Sequence, residues 1–131
     1  MREELQRQIQ KIAEECAAPG WDGYGASPVT PEAVAQARLF AEAIPTELPT
    51  PTIGAEPDGA LTFEWYRDRT QMLSVSVDAS AALSYAAALG SEMISGTEIF
   101  HGRVPQKLLA VIRRVHETGG QSLVASGNNI C

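Results

Sequence analysis

The sequence predicts an α+β domain: a four-stranded antiparallel meander sheet with helices packed on one face, in the order α-α-β-β-β-β-α. Three observations predict it. Apolar residues recur at helical spacing near both ends of the chain, over 3–17, 31–44 and 104–118. They alternate with polar residues between 61 and 99. The breaks inside that middle region, Pro57–Gly59, Arg67–Arg69, Asp78–Ser80 and Gly90–Ser91, are short. Connections of that length make hairpins, whereas parallel strands need crossovers of about a dozen residues.

The first helix carries Leu5, Ile9, Ile12 and Cys16 on one face, with Glu3, Glu4, Gln8 and Lys11 elsewhere. Pro19 and Gly20 stop it. So narrow a stripe on a short helix needs a partner surface, either its own sheet or a second copy of the chain. The second helix begins at Thr30, a capping residue followed by Pro31 and Glu32. It runs to about Ile44, with Ala33, Ala37, Phe40 and Ile44 on one face, and Pro45 ends it. "PTELPTPT", residues 45–52, reads as a stiff extended connector.

In the strand region Leu61, Phe63 and Trp65 point one way and Thr62, Glu64 and Tyr66 the other. Leu73, Val75 and Val77 alternate with Ser74, Ser76 and Asp78, and Leu83, Tyr85, Ala87 and Leu89 share a face. "EMISGTEIF", residues 92–100, is the weakest strand, and Gly96 suggests a bulge or an edge. An apolar and a polar face imply a sheet covered on one side only. In the last helix Pro105 suits the first turn, with Leu108, Ile112 and Val115 as the stripe. Arg113, Arg114 and His116 lie near its negative C-terminal end, and Gly119 stops it.

A chain of 131 residues fits one domain, read as 1–117, with 118–131 a flexible tail or a short extra strand. Hydrophobic content of 44% and charged content of 20% are those of a globular chain. No apolar run reaches the roughly 20 residues of a membrane span. The first sixteen residues are too polar for a signal peptide, so a cytoplasmic location is expected. The net charge of −6 argues against broad contact with a phosphate backbone, so nucleic acid is not the expected partner. The local basic group of Arg103, Lys107, Arg113 and Arg114, beside His101 and His116, reads as a solvated helix face. Cys16 and Cys131 form no disulfide framework.

The stretch "GWDGYGASPVTPEAV", residues 20–34, is the densest motif. Gly23 and Gly25 permit a tight turn, Asp22 suits local backbone capping, and Trp21 and Tyr24 are either plugs or displayed anchors. It is not a phosphate loop, because the GxGxxG spacing and a preceding strand are missing. "WDGYGA" at 21–26, a proline-led alanine-rich helix and "LTFEW" at 61–65 resemble a set of short bacterial and mobile-element proteins. These share a W-D-G-Y-(G/N)-A motif and a central strand ending in Glu-Trp, and the likeness covers residues 20–90. It implies a fold and a bacterial or phage origin, not a reaction.

Catalytic signals are sparse. Asp22, Glu64, His101 and His116 are the available acid–base groups, and none is spaced as a pair or metal site. Ser27, Ser84 and Ser95 lack a nucleophile elbow, and Cys16 has no electropositive setting. No cofactor and no metal are expected. The reading that follows is a small non-catalytic module that binds another protein, in an inhibitor, antitoxin-like or adaptor role. Its expected contacts are Trp21, Asp22, Tyr24, Glu64 and Tyr66. The alternative is a small hydrolase or nuclease using Asp22, Glu64 and His101, which requires those three to converge.

Overall fold

The computed structural model describes residues 3–117. It shows an α+β fold of three helices and an antiparallel sheet, with five strands rather than four. The elements are α1 (Glu3–Glu15), α2 (Pro31–Ala43), β1 (Thr52–Ala55), β2 (Leu61–Asp68), β3 (Gln71–Val77), β4 (Ala82–Leu89), β5 (Glu92–Ile99) and α3 (Gln106–His116). Strand order follows chain order, so the sheet is a plain meander. The expected tail at 118–131, and the helix stop at Gly119, lie outside the described residues.

The additional strand is β1, which falls at the end of the expected proline connector. It has four residues with Gly54 among them, too few to display alternation. Pairing with β2, from Thr52 opposite Glu64 to Ala55 opposite Leu61, makes it a strand. Of the bulge or edge that Gly96 suggests, the structure shows the edge: β5 is an outermost strand of the sheet. All eight residues of β5 pair with β4 without a shift. Gly96 faces Tyr85, and a Cβ built on it would lie 2.8 Å from the phenol oxygen. The glycine therefore makes room for a ring. The register shift in the sheet lies at the end of β2, between Tyr66 and Asp68.

Helices form where the sequence places their signals. Thr30 caps α2 by accepting a hydrogen bond from the Ala33 amide at 3.2 Å, and Pro31 opens the first turn. Pro105 sits one position earlier than expected, at the N-cap of α3. Leu5, Ile9 and Ile12 are buried within this chain, so the stripe of α1 finds its partner surface at home. Between α1 and α2, Arg38 donates to Gln6 and Gln10, and Gln6 donates to Glu42.

The core lies between the helices and the inner sheet face. Leu61, Phe63, Trp65, Leu73, Val75, Leu83 and Tyr85 supply the sheet side, and Phe40, Ile44, Leu108 and Ile112 the helix side. Phe40 meets Phe63 edge-on at 4.9 Å between ring centres and Phe100 at 5.7 Å. Trp65 is 1% exposed, and its indole N–H donates to the Pro49 carbonyl at 2.9 Å. Trp65 thereby ties the proline connector to the sheet. No helix among the described residues is long and apolar enough to cross a membrane.

Candidate functional site: an open sheet face

Residues 20–27 build a self-supporting loop. The Asp22 carboxylate accepts from the amides of Tyr24 at 2.8 Å and Ala26 at 3.1 Å. The Gly20 amide donates to the Ala26 carbonyl, and the Trp21 indole donates to the Ser27 carbonyl, both at 2.7 Å. Gly23 and Gly25 take φ values of 81° and 83°, which side chains rarely adopt. The Ser27 amide then donates to Pro57 in the β1–β2 turn. Two of the expected contact residues, Trp21 and Asp22, thus spend their polar groups on the loop itself. Tyr24 alone projects from it, 93% exposed.

Glu64 and Tyr66 lie elsewhere, on the outer face of β2. From the β1–β2 turn at Gly59 to Tyr66 the chain runs about 20 Å along the strand. Tyr24 and Tyr66 therefore do not share one contact patch. The alternative triad is dispersed as well. Glu64 sits on β2 and His101 follows β5, three strands away, which is about 14 Å. Asp22 is held by the loop beyond the sheet end. Among the described residues no group of three His, Cys, Asp or Glu side chains could hold a metal ion. The thiol of Cys16 is pushed up by burial and by neighbouring Glu15, which disfavours the thiolate. Arg103 lies in the bend before α3, Lys107 in its first turn and Arg113 and Arg114 near its end, and Arg114 pairs with Glu92 at 3.4 Å.

Among the described residues the helices pack on one side, and no element covers the outer face of the five strands. Its side chains are ordered by the strand register. Thr62, Ser76, Ser84 and Thr97 form one row of hydroxyls across β2 to β5. The Glu56 carboxylate closes the row by accepting from Ser76 at 2.6 Å and from Thr62. The next row is Thr52, Glu64, Ser74, Ala86 and Ser95. Beyond it stand Tyr66, Met72, Ala88 and Met93, an apolar row about 14 Å long. Tyr66 is 57% and Met93 75% exposed. Ala88, set between the two methionines, is 6% exposed although, among the described residues, no helix covers this face.

Sequence reasoning found Glu64 and Tyr66 from the phase of β2. It missed Met72, Ala88 and Met93. Met72 lies out of phase with Leu73, Val75 and Val77, which was a usable signal, whereas Met93 shares its phase with Ile99 and Ala88 with Ala86. That they stand in line with Tyr66 depends on hairpin register. A separate apolar groove of about 530 Å³ lies between the end of α1 and the start of α2, lined by Ala13, Ala17, Val29, Pro31 and Val34. Thr30, also on its wall, already uses its hydroxyl as the helix cap. No family model, no curated protein and no solved structure matches the chain.

Proposed function

We propose that this chain is a non-catalytic module that binds another protein through the outer face of its sheet. One observation carries the reading: the in-register row of Tyr66, Met72, Ala88 and Met93 on a sheet face that, among the described residues, no helix covers. Cross-strand neighbours on one face stand about 5 Å apart, so these side chains make a continuous apolar strip. Exposed tyrosine is a frequent anchor of interfaces, and methionine adapts its shape to a partner. Small hydroxyl residues beside the strip keep the surface flat. Glu64 sets a single negative charge next to it, so the fitting partner offers apolar side chains beside a basic one.

The proposed setting is the cytoplasm of a bacterium or of a phage-infected cell, in an inhibitor, antitoxin-like or adaptor role. The test is affinity capture of partners from lysate of the source cells, using the tagged full chain. Tyr66→Ala/Met72→Ser and Tyr24→Ala versions run alongside, each checked for folding by circular dichroism. A protein held by the wild type and by Tyr24→Ala, and lost by the face variant, is the expected result. A protein held equally by all three, or lost only with Tyr24→Ala, removes the sheet face as the contact.

A further inference from the structure

The two edges of the sheet are unlike. β1 has four residues, and the Ile53 amide on it donates to the Gln8 side chain of α1 at 3.0 Å. β5 has eight residues and, among the described residues, no helix packs on it: α1 lies on α2 and β1, α2 on β2 and β3, and α3 on β2 to β4. β5 has no proline, lysine or bulge, and its only charged residues are Glu92 and Glu98.

The pairing on its inner side fixes what its outer side offers. The Phe100 amide donates to the Ala81 carbonyl at 2.8 Å, one step beyond the Ala82–Ile99 pair. In an antiparallel ladder hydrogen-bonded and non-bonded pairs alternate. The main-chain groups of residues 92, 94, 96, 98 and 100 therefore turn toward β4, and those of Met93, Ser95, Thr97 and Ile99 turn outward. These four positions are symmetric about Gly96.

We propose that β5 pairs with β5 of a second copy of this chain, antiparallel and two-fold about Gly96, giving one continuous ten-stranded sheet. Met93 then pairs with the partner's Ile99 and Ser95 with the partner's Thr97, for about eight main-chain hydrogen bonds. Met93 and Ile99 are two of the five large apolar side chains exposed among the described residues, at 75% and 51%. The symmetry places each against the other, apolar to apolar, and sets hydroxyl to hydroxyl between them. Charge selects this register. Centred on Ser95 instead, the pairing sets Glu92 opposite the partner's Glu98, and like charges directly opposite are destabilising. Centred on Thr97, it runs off the strand into the turn at 100–102. Centred on Gly96, Glu98 meets the partner's Ile94 and Glu92 meets the partner's Phe100, with Arg114 already beside Glu92. The dimer uses the sheet edge and the partner-binding reading the outer face; the two share Met93, and the edge variants Ser95→Pro and Thr97→Lys leave Tyr66 and Met72 in place.

Sedimentation velocity of the full chain across a concentration series reads the assembly. Expected are a dimer for the wild type and a monomer for Ser95→Pro and for Thr97→Lys. Neither change touches a group bonded to β4, and unchanged circular dichroism shows that the variants fold. Met93→Cys/Ile99→Cys reads the register: hydrogen-bonded pairs lie about 5.5 Å apart at Cα, within disulfide reach. Oxidation is expected to give a covalent dimer that the parent chain does not form. A wild type that stays monomeric, whether residues 118–131 take the edge or nothing does, overturns the proposal. So does a dimer that survives both edge variants, or an absent cross-link.

Discussion

Trp65 is the residue on which two parts of the chain meet. Its ring fills the core and its indole N–H holds the Pro49 carbonyl, so one side chain serves both packing and polar satisfaction. Trp65→Phe keeps an aromatic ring and leaves the carbonyl without its donor. The expected loss is about 2 kcal/mol, combining a lost hydrogen bond with unfilled volume. Urea unfolding checks it, as a lowered midpoint with an unchanged slope. Asp68 carries the acid response at this scale. Its carboxylate accepts from the Thr70 hydroxyl and amide, which holds its pKa below the usual aspartate range. A depressed folded-state pKa gives stability that is present above the unfolded value, about 4, and is lost as pH falls through the folded value. Asp68→Asn should therefore lower the melting temperature at pH 7. The gap from the wild type should close as pH falls below about 4, and melting curves from pH 2 to 7 measure this.

At the scale of elements, β4 and β5 are joined by the fit of Tyr85 over Gly96. Adding a methyl group at Gly96 puts a carbon 2.8 Å from the phenol oxygen and 3.1 Å from Cζ. Gly96→Ala should cost about 1–2 kcal/mol, and Tyr85→Phe in the same chain should return part of it by removing the nearest atom. A double-mutant cycle by chemical denaturation reads the coupling. The same pair shows why β5 was hard to read: its glycine looks like a bulge until the ring opposite is known. The three central strands were legible because Leu61 to Trp65, Leu73 to Val77 and Leu83 to Leu89 alternate cleanly. β1 was not, since four residues beginning after Pro51 carry no period. Glu64 and Tyr66 could be placed on the polar face from β2 alone. Their neighbours could not, because a turn that shifts the register by two residues would set different side chains beside Tyr66.

At the scale of the whole molecule, three helices bury one face of a meander and, among the described residues, nothing covers the other face and one long edge. The core explains stability; the uncovered surfaces are where an interaction can be read. Tyr66 and Met93 stand at opposite ends of one apolar row, so a partner seated on the face covers both. Tyr24 stands at the far end of the sheet, on a loop whose own hydrogen bonds hold it. Alanine at Tyr24 should leave both the fold and the affinity for a face-bound partner unchanged. The most direct measurement is calorimetric titration of the captured partner into the wild type and into Tyr66→Ala/Met93→Ala. Binding through the face predicts a Kd raised about 100-fold in the variant, near 2.7 kcal/mol, with the melting temperature little altered. An equal Kd for the two proteins would contradict it.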